Sequence, residues 1–186
     1  MAPKDLSLGL SISGNRIQAV EIERGGTSGI LLAIDEWQNR FPFDDGASND
    51  SPASREFQEY LQAFIKVNRV KATQVSVALD TALLFLNTLP VEDGLPRTRI
   101  NELIEWELHQ YFPDIQPKEF ITDVHVMSTH REQGWNEMLA VSIRRRHTLA
   151  VKEALKNLGL TLHIVDVDHF NASFKKRISN HNRAGL

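Results

Sequence analysis

The sequence predicts a mixed α/β fold, and three observations predict it. Two runs of alternating apolar and polar residues, Leu6–Ile12 and Arg16–Glu23, are pinched together by Ser13-Gly14-Asn15. That is a hairpin pattern, because Gly and Asn tolerate the positive φ of a tight turn. Phe57, Tyr60, Leu61, Phe64 and Ile65 then recur at helical spacing, and a buried stripe of this kind is what sustains a helix in water. The strand pattern Gln74–Asp80 follows that helix, and a meander followed by a helix and a strand marks a mixed sheet.

Taken in order, Gly25-Gly26-Thr27-Ser28-Gly29 makes a second turn, and Ile30–Trp37 is the third strand of the meander. Phe41-Pro42-Phe43 ends it, and the acidic, Gly/Ser/Asn-rich stretch Asp44–Ser54 reads as a mobile loop. Ser51 caps the first helix, with Pro52 at its first position. Leu83–Ile143 reads strand, helix, strand, strand: Leu83–Leu89, the helix Arg97–Tyr111, then Phe120–Met127 and Met138–Ile143. In that helix Ile100, Leu103, Ile104, Leu108 and Tyr111 share a face, Trp106 lies off it, and Phe112-Pro113 stops it. The helix Thr148–Leu158 ends at Gly159, the usual residue beyond a helix terminus. Leu160–Val167 is apolar enough to read as a central strand, and Asp168 caps a last helix to about Ile178.

Composition narrows the function. The chain of 186 residues carries a formal net charge of −3, which gives no sign of a nucleic-acid binder. It has no cysteine, so it has neither a disulfide framework nor thiolate chemistry, which suits a reducing compartment. The first residues lack the apolar core of a signal peptide, and no apolar run has the length of a transmembrane segment. A cytoplasmic location is the expectation.

Chemistry-bearing patterns are few. The turn Ser11–Asn15, with Ser11, Ser13, Gly14 and Asn15, leaves backbone N–H groups to cradle an anion such as phosphate. The seven histidines show no metal-ligand spacing, and no metal site is expected. There is no nucleophile elbow, Walker loop or dinucleotide fingerprint, and no catalytic residue is assigned. Arg144-Arg145-Arg146 reads as a solvated strand end, with a phosphate or lipid contact as the sharper alternative. Glu102, Glu105 and Glu107 read as a solvated helix face. Asp166 and Asp168 are spaced to hold a cation or water, although capping is the simpler role for Asp168.

Several strings converge on a family in its own order. They are Leu8-Gly9-Leu10-Ser11-Ile12-Ser13 with Ile17-Gln18-Ala19-Val20-Glu21, Val75-Ser76-Val77-Ala78-Leu79, Leu89-Pro90 and Glu105-Trp106-Glu107-Leu108-His109-Gln110-Tyr111-Phe112-Pro113. Ala154–Leu160 and Val165–Ala172 complete the set. The chain resembles the N-terminal half of the type IV pilus assembly protein PilM family, actin-like and related to the division protein FtsA. The resemblance implies an actin-like (ribonuclease H-like) half-lobe over 1–86 and 158–186, with an inserted strand-helix-strand-strand subdomain over 87–157. It also implies a place at the inner face of the bacterial inner membrane, reached through partners. The expected partner is the short cytoplasmic segment of a PilN-like membrane protein.

The departures from the family are as informative. Ser11 stands where the family's phosphate loop has aspartate, Ser13 where it has glycine and Gln18 where it has lysine. Asp168-His169 replaces a Glu-Pro pair. A serine hydroxyl is a far weaker Mg²⁺ ligand than a carboxylate, so Ser11, Ser13, Gly14 and Asn15 read as a vestigial phosphate loop without ATP or Mg²⁺. The leading expectation is a non-catalytic scaffold of pilus assembly. The alternatives are one lobe of an actin-like ATPase, or a type II secretion platform subunit that contacts a motor ATPase. The chain also reads as stopping where a second lobe begins, which predicts self-association through the face such a lobe covers.

Overall fold

The computed structural model describes residues 5–25, 28–43, 48 and 50–167. The expected last helix from Asp168, the Asp168-His169 pair, the Gly26-Thr27 turn and most of the 44–49 loop lie outside the described residues. In order, the elements are β1 (Asp5–Ser13), β2 (Arg16–Gly25), β3 (Ser28–Gln38), α1 (Pro52–Asn68) and β4 (Gln74–Leu79). They continue with β5 (Leu84–Glu92), α2 (Arg97–Tyr111), β6 (Phe120–His130), β7 (Trp135–Arg144), α3 (Arg145–Asn157) and β8 (Thr161–Val167). Two compact units emerge, Met1–Leu83 with Arg146–Leu186, and Leu84–Arg145. Nearly all of α3 thus groups with the first unit, whereas the sequence reading carried the insertion to residue 157.

The larger unit is a five-stranded sheet in the order β3-β2-β1-β4-β8. β1, β2 and β3 form the antiparallel meander, while β4 runs parallel to β1 and β8 parallel to β4. The β1–β2 turn is two residues long, with Ser13 opposite Arg16, and its positive φ of 59° falls on Gly14. Asn15 is not left-handed, so glycine alone carries the strain of the turn. Alternation then sends Leu8, Leu10 and Ile12, Ile17 and Ala19, and Val75, Val77 and Leu79 to one buried face. α1 packs on β2 and β3, and the side chain of Asn157 in α3 donates to that of Gln58 in α1. The buried stripes of these helices include Phe57, Leu61 and Phe64, and Val151 and Leu155.

Polar groups are buried here too. Glu21 of β2 is buried, and its Oε1 accepts the backbone N–H of Lys71 at 2.7 Å and of Ala72 at 2.9 Å. It fixes the chain between α1 and β4, whose register against β1 builds the parallel half of the sheet.

Two expectations for this unit change. β8 is an edge strand, not a central one, and Ile164 and Val165 are exposed. An apolar run buried by parallel pairing on both sides and one packed only on its inner side look alike in sequence. Tyr60 is 39% exposed and packs at a tilt against Trp37, with ring centroids 5.7 Å apart, instead of entering the core.

The smaller unit is an antiparallel sheet in the order β5-β7-β6 with α2 over one face. Leu89, Val91, Ile100, Ile104, Leu108, Phe120 and Ala140 form its core. The α2 boundaries match the expectation, but Leu103 and Tyr111 are exposed, because the buried stripe is narrower than the apolar one. Trp106 is 59% exposed. Arg144 ends β7 with its guanidinium over the Phe112 and Phe120 rings, whereas Arg145 and Arg146 open α3. The three arginines are therefore not one cluster on a strand end.

All four sheet edges are blunted. On β3, β6 and β8 an aspartate takes the next residue's backbone N–H: Asp35 from Glu36, Asp123 from Val124 and Asp166 from Val167. β5 carries Pro90, which has no N–H to offer. β3 and β6 are also bulged, at Leu32 and Met127.

Removing the Glu21 carboxylate leaves buried donors without an acceptor. Glu21→Ala is expected to cost about 2–4 kcal/mol in urea unfolding, and Glu21→Gln, which keeps one acceptor oxygen, about half as much.

Candidate functional site

The candidate phosphate turn sits at the end of the sheet, braced from three sides. The Asn15 carbonyl accepts the N–H of Asn39 at 2.7 Å and the Gly14 carbonyl that of Phe43 at 2.8 Å. Ser13 Oγ donates to Asp80 Oδ2 at 2.6 Å, while the Asp80 N–H donates to the Ile12 carbonyl at 3.0 Å. Ser13 thus joins the end of β1 to the residue that follows β4. Its hydroxyl is engaged within the protein.

Ser11 and Gln18 are directly opposite in the β1–β2 register, and Glu36 of β3 continues the row beyond Gln18. All three point to the sheet face that the helices do not cover. Glu36 Oε2 accepts Gln18 Nε2 and Arg16 Nη2, each at 2.6 Å. The bonds from Arg16 and then Gln18 hold the Glu36 carboxyl below its usual range, and the same carboxylate raises Arg16. The four expected residues are therefore divided: Ser11 faces this row, Ser13 serves Asp80, and Gly14 and Asn15 form the turn. The sequence reading missed Glu36 and Asp80. Only the strand register reveals the first, and only the β1–β4 pairing the second.

Around this row the open face forms a trough of about 550 Å³, with Gly9, Ser11, Ser76 and Ala78 in its floor. Val20, Ile34 and Ile164 rise beside it, and Asp35, Glu36, Asp166 and Arg24 line it among the described residues. An anionic phosphate laid along the Ser11 row meets the Glu36 carboxylate beside Gln18. Coulomb repulsion opposes it.

Elsewhere, Ser128 Oγ lies 3.0 Å from His130 Nε2 and donates to Glu137 Oε2 at 3.0 Å, while His130 stacks on Trp135. The acid contacts the serine and not the histidine, so the group is not arranged as a catalytic triad. No group of three or more potential ligands gathers to hold a metal among the described residues. Nor does any helix there have the length and apolarity to cross a membrane.

No protein-family model matches the sequence, and no characterised protein matches it in a sequence search. Solved structures do match. A PilM–PilN type IV pilus biogenesis complex aligns with a TM-score of 0.68 at 22% identity, over 90% of this chain and 49% of the matched one. The chain has a PilM-like fold. The cytoplasmic domain of EpsL, an inner-membrane component of the type II secretion system of Vibrio cholerae, aligns with a TM-score of 0.55 at 15% identity. That alignment covers 88% of this chain and 58% of EpsL's domain. The chain thus spans about half the length of the PilM it matches. Within this PilM-like fold the opening hairpin is tied to Asp80 and Phe43.

The Asp80 carboxyl lies below its usual range, first because the Ala82 N–H donates to it and then because Ser13 does. Its stabilisation is complete above the unfolded-state pKa of about 3.9 and is lost as pH falls through the lower folded-state value. Asp80→Asn is expected to be about 1 kcal/mol less stable than wild type at pH 7. The two unfolding curves should converge in strong acid.

Proposed function

We propose that the protein is a non-catalytic cytoplasmic scaffold of a type IV pilus or related secretion machine, which holds the cytoplasmic segment of a PilN-like inner-membrane protein. The observation that carries this reading is the likeness to a PilM–PilN complex over 90% of the chain. Support for the non-catalytic part comes from the Ser11–Gln18–Glu36 row. A hydroxyl and an amide replace a carboxylate and an ammonium, and a fixed carboxylate stands beside them. Mg-ATP has no fitting donor set there, so no hydrolytic step is assigned to these residues. A short tail without its own fold suits capture by a groove or by a protein face.

A second reading follows from the likeness to EpsL. In it the same fold serves a type II secretion platform and contacts the motor ATPase.

Titration with tail peptides from membrane pilus or secretion proteins encoded nearby separates the two. Saturable binding of one such tail is expected, and binding of a motor ATPase domain with no tail recognised favours the platform reading. If neither binds, the scaffold idea is lost. Calorimetry with Mg-ATP should give no binding heat. Ser11→Asp with Gln18→Lys should not restore it alone, because Glu36 captures the new ammonium, so Glu36→Gln is needed as well. Tight Mg-ATP binding by the unaltered chain returns the case to an ATPase lobe.

A further inference from the structure

We propose that the shoulder where α1 meets β3 is a dimer interface, on which a second copy of this chain docks with the two α1 helices antiparallel. The proposal does not rest on the tail-binding reading. It starts from the course of α1 along the outer strand. Glu56, near the start of the helix, accepts the Arg40 and Phe41 N–H groups just beyond β3, and Tyr60 then meets Trp37. The residues that follow α1 are fixed by Glu21, which lies opposite Ala33. α1 therefore runs back beside β3 from Gln38 toward Ala33, along the edge strand of the sheet.

Both elements show apolar side chains there. Tyr60, Ala63 and Val67 recur at i, i+3 and i+7, which aligns them on one flank of α1, and all three are exposed. Val67 is 78% exposed, and on β3 Ile30 and Leu31 are 61% and 56% exposed, with Leu32 open as well. Residues 28–34 carry no charge. Their exposed area with that of α1, roughly 500 Å², is at the upper end of what a monomer leaves in one patch. Pairing two such patches buries roughly 1,000 Å², the size at which a specific interface begins. Side chains make the contact, because Asp35 already holds the Glu36 N–H and the bulge at Leu32 interrupts the strand's ladder.

The occupant follows from self-complementarity. A two-fold axis across an antiparallel helix pair brings the same flank of both helices together. With that axis at Ala63, Tyr60 comes within one residue's rise, about 1.5 Å, of Val67 of the second copy. Glu59 and Lys66 are exposed and seven residues apart on that side of α1, and they meet in the same way, Glu59 of each copy with Lys66 of the other. Two pairs of opposite charge thus frame an apolar centre. The small Ala63 side chain lets the helix axes approach to the near end of the usual range of about 8–10 Å. A parallel pair instead brings Glu59 to Glu59 and Lys66 to Lys66, which Coulomb repulsion opposes.

Sedimentation equilibrium of the full chain is expected to show a dimer with a dissociation constant of about 10 µM. Val67→Asp puts a carboxylate into the apolar centre and should raise that constant about a hundredfold. Glu59→Lys and Lys66→Glu should each raise it about tenfold, and the two together should return it close to the wild-type value, because the pairs are then exchanged. The chain contains no cysteine, so Ala63→Cys should join two chains through a disulfide on oxidation, whereas Gln110→Cys on α2 should not. A monomer at every concentration overturns the proposal and leaves the shoulder to a different protein. A dimer that tolerates Val67→Asp, or a double charge exchange no better than either single one, overturns it too.

Discussion

The larger unit depends on one-sided burial. β1, β2 and β4 alternate so strictly that Leu8, Leu10, Ile12, Ile17, Ala19, Val75, Val77 and Leu79 all turn toward α1 and α3. A shift of one residue in any register reverses that choice for the whole strand. Glu21 secures the crossover into β4 by accepting the backbone N–H groups of Lys71 and Ala72. A buried charge is costly unless its hydrogen bonds are complete, and here the partners are the N–H groups that must be fixed for β4 to start in place.

The same alternation composes the opposite face. Positions between the core residues become Gly9, Ser11, Gln18, Val20, Ser76 and Ala78, so the sequence that makes the core also makes the trough. Its electrostatics come from neighbouring strands and not from the turn. Glu36, three strands away from β4 in sheet order, sets the charge beside Ser11 and Gln18. A glycine-rich turn supplies only backbone geometry. Which anion it tolerates depends on the side chains that the register places next to it.

Local features were legible in the sequence where local physics determines them. The Gly14 turn, the Ser51 cap with Pro52, the ends of α2 and the Gly159 terminus each follow from a few adjacent residues. The strand-helix-strand-strand order of the smaller unit was readable for the same reason. Features that depend on neighbours distant in sequence were not. The apolarity of β8 reports its inner contacts with β4 but not its place at the edge of the sheet among the described residues. Tyr60 lies on the apolar stripe of α1, yet Trp37 of β3 meets it at the margin of the core. Ser13 read as a phosphate contact because nothing near it in sequence announces Asp80, which is 67 residues away.

The edges restrict how either unit meets a partner. Strand addition requires free backbone donors and acceptors along an edge. In β3, β6 and β8 an aspartate already takes an N–H, β5 has a proline, and bulges at Leu32 and Met127 break the repeat. An added strand must displace a charge-assisted hydrogen bond and then follow an interrupted ladder. Face recognition carries no such penalty, because its contacts are made by side chains. The trough above β1 and β4, the Tyr60 shoulder of α1 and the exposed Trp106 side of α2 are therefore the surfaces on which association is least opposed.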